Sequence, residues 1–267
     1  MQEIKLKGNL KKEAPLRLYL AEKTKSGMPF VLVIPGGGYK DICEREAEPV
    51  AKRLNGQGIS CAVLYYSVGE NDFFPTALTE AGEAVGYIKD NLENWGLDTK
   101  DVALMGFSAG GHLAASLGAF YDSAFLWELT GRDAKNMQPY ALILSYPVIT
   151  AGKGAHENSF KNLLGKKAND RELREQVSIE KQVTKNMPPA FVWTTREDSY
   201  VPVANSMLLC EALNRAGVFF ELHIFPTGEH GAALCTPETI MEGDPEDYEY
   251  MRDWFSMAMR FLKMCKA

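Results

Sequence analysis

The sequence predicts an α/β fold, a mostly parallel sheet with helices on both faces. Three observations carry that prediction. Short apolar runs alternate with longer helical patterns through most of the 267 residues, the rhythm of strands joined by helical crossovers. Residues 29–34 and 102–105 are continuously apolar, as strands covered on both faces must be. The second of these runs leads directly into Gly106-Phe107-Ser108-Ala109-Gly110 and a small-residue helix, so strand and helix meet in one tight turn.

Residues 16–20 alternate and predict a half-buried strand near an edge. The strand at 29–34 ends at Pro35-Gly36-Gly37-Gly38-Tyr39, which continues neither a strand nor a helix. Residues 46–54 predict a helix, with Pro49 in its first turn and Glu46 and Glu48 near its N-terminus. A strand at 59–66 precedes a long helix at 75–92, whose Ala77, Leu78, Ala81, Val85 and Ile88 form one stripe. The strand at 140–146 is closed by Pro147. Residues 149–188 are polar, broken by Gly152, Gly154 and Gly165, with short helical pieces at 160–164 and 171–182. They are expected to form a small lid-like insertion over the strand ends within a single domain of residues 1–267; an ordinary long connection is the alternative. A strand at 190–194, a helix at 202–216 stopped by Gly217, an alternating strand at 219–225 and an amphipathic helix at 248–264 complete the chain.

Composition sets bounds. Hydrophobic residues make up 46% and charged residues 24%, ordinary for a globular chain of this size. The net charge of −6 argues against nucleic acid as a partner, which needs a basic stripe. Five cysteines, none in Cys-x-x-Cys spacing, read as reduced thiols, with Cys61 in the core. Met1-Gln2-Glu3-Ile4-Lys5 opens no apolar signal segment and no run reaches membrane-spanning length. The expectation is a cytoplasmic protein with no membrane partner, secreted only if a leader has been removed. Phe73-Phe74 and Phe125-Leu126-Trp127 are candidate homodimer contacts or, alternatively, core.

The chemistry centres on Ser108. A serine hydroxyl needs a base within hydrogen-bond reach, and the base needs an orienting acid. Of the four histidines, His112 lies one turn into the following helix and is expected to pack or to bond within that helix. His156 lies in the irregular segment, and His223 sits mid-strand in a structural role. His230 follows a strand in the glycine-flanked loop Gly228-Glu229-His230-Gly231 and is the candidate base. Asp198 directly follows the strand at 190–194 and is the candidate acid; Glu197 competes, while Asp170 reads as a helix cap. Backbone N–H groups of Ala109 and of the Gly36-Gly37-Gly38 turn can meet a negative oxygen. Tyr39, His156, Tyr200 and Trp193 are candidates to border a substrate pocket, with plain packing the alternative for each and Trp193 the strongest candidate for core.

The chain resembles the α/β-hydrolase superfamily, within it the esterase/lipase branch that includes acetyl xylan esterases and related carbohydrate acetyl esterases. The resemblance rests on residues 34–39 (Ile-Pro-Gly-Gly-Gly-Tyr), 45–51, 106–112, 198–202 and 228–231. It implies an α/β-hydrolase fold with Ser108 as nucleophile, His230 as base and Asp198 as its orienter. It further implies an oxyanion hole of Gly37, Gly38 and Ala109. This chain carries Pro35 where many relatives carry histidine, which leaves open which two glycines donate.

The expected reaction is cleavage of short acyl esters through an acyl-serine, above all O-acetyl groups on xylan-type oligosaccharides, with no metal or organic cofactor. An arylformamidase or a small peptidase of the same fold is the enzymatic alternative, and a catalytically idle binding protein the alternative of another class.

Overall fold

The computed structural model describes residues 1–7, 10, 12–69, 72–240, 243 and 245–265. Its strands are β1 (Gln2–Leu6), β2 (Ala14–Tyr19), β3 (Phe30–Ile34), β4 (Cys61–Leu64), β5 (Val102–Phe107), β6 (Leu142–Ser145), β7 (Ala190–Thr195) and β8 (Phe220–Phe225). Its α-helices are α1 (Glu48–Asn55), α2 (Thr76–Asn91), α3 (Ala109–Phe120), α4 (Ala124–Thr130), α5 (Ala134–Met137), α6 (Glu157–Leu164), α7 (Arg171–Gln176), α8 (Ala204–Ala216) and α9 (Asp253–Met264). The strands form one sheet in the order β1-β2-β4-β3-β5-β6-β7-β8. Strands β3 to β8 run parallel, and β1 and β2 join antiparallel at one edge.

The continuous apolar runs are explained by burial on both faces. Leu32, Ile34 and Leu104 enter one core, with Leu78 and Val85 of α2, Leu113 and Leu117 of α3, and Leu209 and Leu213 of α8. Their neighbours Val31, Val33, Ala103 and Met105 enter the other, with Val50 and Leu54 of α1 and Trp254 and Phe261 of α9. Adjacent residues of one strand serve opposite cores because a strand's side chains alternate.

Register places the functional loops. Ile34 at the end of β3 pairs with Gly106 near the end of β5. Thr195 at the end of β7 pairs with Phe225 at the end of β8. The glycine turn after β3, Ser108 after β5, Asp198 after β7 and His230 after β8 therefore leave the sheet at its carboxyl edge, where α/β sheets bind ligands. Residues 149–188 follow β6 at this edge and lead back to the start of β7, at the opposite edge because the two strands are parallel; they carry α6 and α7, and Ile179 N–H donates to the Ile149 carbonyl at 3.1 Å.

Several elements differ from the sequence reading. Strand β1 was not anticipated, because only every other residue of a polar edge segment is covered. The short helices α4 and α5 were also missed. The closing helix is α-helical only from Asp253; residues Pro245–Arg252 form a 3₁₀ helix. Its buried residues Tyr248 and Met251 recur every three positions, continuing to Trp254, and a 3₁₀ helix stacks residues at that spacing on one face. Phe74 and Phe125 stack with ring centroids 6.0 Å apart beside the segment 149–188, while Leu126 is core. All five cysteines are free thiols, and Cys61 is buried. Among the described residues no helix is long and apolar enough to cross a membrane.

Candidate active site

Ser108 is the single residue between β5 and α3, with φ 52° and ψ −118°. A non-glycine residue in this region stores roughly 1–3 kcal/mol and persists only where its surroundings hold it. Three hydrogen bonds do so. Its N–H donates to the Ser145 carbonyl at 3.0 Å, and its carbonyl accepts from His112 N–H and Val148 N–H, both at 3.1 Å. The flanking glycines are required by close approach. A Cβ on Gly106 would stand 2.4 Å from the Gly110 carbonyl oxygen, and one on Gly110 would stand 2.1 Å from that of Ile34.

The structure brings His230 and Asp198 to this serine. His230 Nε2 lies 2.8 Å from Ser108 Oγ, and His230 Nδ1 lies 2.6 Å from Asp198 Oδ2. The other carboxylate oxygen, Asp198 Oδ1, accepts from Tyr200 N–H at 3.0 Å and Val201 N–H at 2.8 Å, which fixes its plane. A carboxylate on Nδ1 keeps the imidazole proton there and leaves Nε2 to accept from the hydroxyl. Glu197 points elsewhere: its carboxylate lies 3.8 Å from Arg196 and is half exposed. Asp170 caps α7 through Glu172 N–H and Leu173 N–H.

The glycine turn is held from both ends. Gly36 N–H donates to Glu46 Oε2 at 2.7 Å, and the Gly38 carbonyl accepts from Asn162 Nδ2 of α6 at 2.8 Å. Gly37 has φ 124°, and a Cβ there would stand 1.9 Å from the Asp41 carbonyl oxygen. Because Gly36 N–H is engaged, the amides of Gly37 and Gly38 are the ones left; among the described residues neither meets an acceptor. Ala109 N–H, at the first position of α3, has no intrahelical acceptor either.

The remaining expected pocket residues divide. Tyr200 is 60% exposed, with its ring centroid 5.9 Å from that of His230. His156 is half-buried at the start of α6, with Nδ1 2.8 Å from Ser159 Oγ; its pKa is lowered by burial and then by the nearby His230. Tyr39 and Trp193 do not border a pocket: Tyr39 is a correction, whereas Trp193 is the core residue its place in a strand suggests. The Tyr39 ring is 4% exposed, turned into the core with its hydroxyl 2.8 Å from His112 Nδ1. Trp193 is fully buried and donates to Ser145 Oγ at 2.7 Å. His112 packs as expected, against Tyr39 and Phe160, but its ring bonds outside its helix, to Tyr39 and, through Nε2 at 2.8 Å, to the Val177 carbonyl. Burial pushes its pKa down to about 4. His223 lies 2.6 Å from Glu221 on its own strand, as a structural residue would.

Sequence reasoning missed Glu46, Tyr146 and Asn162, whose roles depend on contacts 100 or more residues away in the chain. Among the described residues no group of three or more His, Cys, Asp or Glu side chains is placed to hold a metal ion. A hydroxyl, an imidazole and a carboxylate in hydrogen-bonded series, beside free amides, are suited to acyl transfer.

A family model described as BD-FAE matches residues 16–213. Endo-1,4-beta-xylanase B of Butyrivibrio fibrisolvens is 38% identical over 216 residues, covering 78% of this chain and 33% of the relative. The acetylxylan esterase of Xylanibacter ruminicola is 31% identical over 212 residues, covering 77% of this chain and 41% of the relative. The chain thus spans about a third to two fifths of the length of these curated relatives. The crystal structure of an acetyl ester-xyloside bifunctional hydrolase from Caldicellulosiruptor lactoaceticus superposes with a TM-score of 0.84 at 33% identity, covering 98% of this chain and 96% of that one.

Proposed function

The chain belongs to the BD-FAE family and has the α/β-hydrolase fold, and on that premise we propose that it is a serine carboxylic ester hydrolase that removes short acyl groups, acetyl above all, from xylan-type oligosaccharides. The observation that carries the reading is the series Ser108 Oγ, His230 Nε2, His230 Nδ1 and Asp198 Oδ2, with contacts of 2.8 and 2.6 Å, at the sheet's carboxyl edge. The relatives named for acetylxylan esterase and acetyl ester-xyloside hydrolysis support the substrate class.

In this reading His230 Nε2 takes the Ser108 proton as Oγ attacks the ester carbonyl, and Asp198 steadies the imidazolium. The carbonyl oxygen gains negative charge and is met by the N–H groups of Ala109, Gly37 and Gly38. Collapse of the tetrahedral intermediate breaks the bond to the alcohol, which leaves with the proton from His230. Water, deprotonated by the same imidazole, then releases the acid and restores Ser108. Tyr200 and His156 border the cleft that receives the sugar, and residues 149–188 form a small lid-like insertion above it.

The test is acetate release from acetylated xylo-oligosaccharides, with an aryl acetate and an aryl formamide in parallel. Release from the sugars at a kcat/KM above that of the aryl acetate supports the substrate class. Preference for the formamide, or cleavage of the aryl acetate alone, moves the substrate elsewhere.

A further inference from the structure

We propose that Glu46 is a positioning residue whose buried carboxylate locks the glycine turn of the oxyanion hole to the loop that carries His230. The inference rests on the serine-hydrolase reading above and adds a residue to it.

Glu46 is 2% exposed, at the end of the 3₁₀ turn Glu44–Glu46 that precedes α1. Its two oxygens face two different parts of the site. Oε2 accepts from Gly36 N–H at 2.7 Å, and Oε1 accepts from the Tyr146 hydroxyl at 2.8 Å. The Tyr146 oxygen accepts in turn from Ala233 N–H at 2.9 Å, in the loop that carries His230. The Tyr146 ring stands edge-on to His230, with centroids 4.9 Å apart. Arg45, the preceding residue, reaches the same loop, donating to the Gly231 carbonyl at 3.2 Å and to that of Thr239. One dipeptide therefore links the glycine turn that carries the proposed oxyanion donors to the chain that follows the proposed base.

The residue type follows from the partners. Gly36 N–H and the Tyr146 hydroxyl are both buried donors aimed at one place. A carboxylate offers each an oxygen, whereas an alanine leaves both unsatisfied. Burial raises the Glu46 pKa, and the bonds from Tyr146 and Gly36 and the nearby His230 oppose that shift. The bond to Gly36 also spends that amide, so the turn presents Gly37 and Gly38 to the substrate. Tyr146 itself has φ 38°, a strained conformation for a non-glycine residue, which its hydroxyl bonds hold in place.

A residue that merely fills the core would change stability and leave the rate of the folded enzyme alone. The experiment uses purified Glu46→Ala, Glu46→Gln and Tyr146→Phe, each checked by thermal melting. For each, kcat and KM are measured on an aryl acetate, together with the rate at which an aryl alkylphosphonate modifies Ser108. A loosened catalytic geometry costs up to about 100-fold. Glu46→Ala and Tyr146→Phe are expected to lower kcat about 10- to 100-fold with KM within about twofold, and to slow phosphonylation in proportion. Glu46→Gln, which keeps an acceptor for Gly36 N–H, is expected to lose less than Glu46→Ala. Wild-type kcat and phosphonylation in the folded variants would overturn the role of Glu46 while leaving the serine reading intact. If Glu46→Ala does not fold, Tyr146→Phe decides, because it deletes one hydroxyl and keeps the ring. Failure of the wild-type enzyme itself to react with the phosphonate would overturn the serine reading, and this inference with it.

Discussion

Tyr39 and His112, 73 residues apart, meet through a buried hydrogen bond of 2.8 Å between the tyrosine hydroxyl and the imidazole Nδ1. Tyr39 ends the glycine turn with φ 57°, and His112 lies one turn into the helix that follows Ser108. The same imidazole reaches the Val177 carbonyl in the segment between β6 and β7. One side chain thus ties the glycine turn, the serine helix and the segment above them.

Burial of this imidazole makes stability depend on pH with a definite sign. The His112 pKa is pushed from 6.5 to about 4 by burial, so between those values the unfolded chain binds a proton that the folded chain does not. The contribution is fully present above pH 6.5 and is lost as pH falls toward 4. The gap corresponds to ~3 kcal/mol. Urea denaturation at pH 7 and pH 4.5 should therefore show a larger loss in wild type than in His112→Gln, by ~2–3 kcal/mol. Parallel losses in the two proteins would contradict it.

Asp198→Asn should retain the fold and lose the chemistry. Its Oδ1 remains the acceptor for Tyr200 N–H and Val201 N–H, so the new amide NH₂ must face His230 Nδ1. Nδ1 then becomes an acceptor and Nε2 carries the proton, the wrong tautomer for a base. The expected drop in kcat is about 10³–10⁴. Glu197→Gln, at a half-exposed position turned to Arg196, should stay within about twofold of wild type.

Gly106→Ala should fail structurally. Its methyl would stand 2.4 Å from the Gly110 carbonyl oxygen, a backbone atom that cannot swing aside. A loss of about 3 kcal/mol or more is expected, read from the melting temperature or from insoluble expression. Gly96→Ala is the comparison: Gly96 has a positive φ of 71°, but nothing lies within 4 Å of the added carbon. It should cost about 1 kcal/mol.

Tyr200→Ala separates sugar binding from chemistry. The ring is 60% exposed beside His230 and makes no bond to the reacting atoms. Its removal should raise KM for acetylated xylo-oligosaccharides about 3- to 10-fold, the equivalent of one lost stacking contact. The kcat on a small aryl acetate should stay unchanged, and a fall there instead would place Tyr200 in the chemistry.

The parts of this site legible in the sequence are those whose chemistry is local. Ser108 is marked by an apolar run and two glycines, and Asp198 and His230 each stand just past a strand end in the expected order. What could not be read depends on partners the fold supplies. Nothing near Asn162 reveals that its amide meets Gly38, 124 residues away. Nothing near Tyr146 reveals that its hydroxyl meets Glu46, 100 residues away. Tyr39 illustrates the opposite error: an aromatic residue after a glycine turn suggests a pocket wall, yet its positive φ turns the ring inward to His112. Strand β1 escaped notice because an edge strand need not be apolar.

The most direct test of the account is the initial rate of aryl acetate hydrolysis by purified Ser108→Ala, at a protein concentration where wild type is readily measured and with a matched melting curve. The account predicts a folded protein with turnover reduced at least about 10⁴-fold, to the level of the uncatalysed background. Turnover close to that of wild type in a clean preparation would contradict it and require another nucleophile.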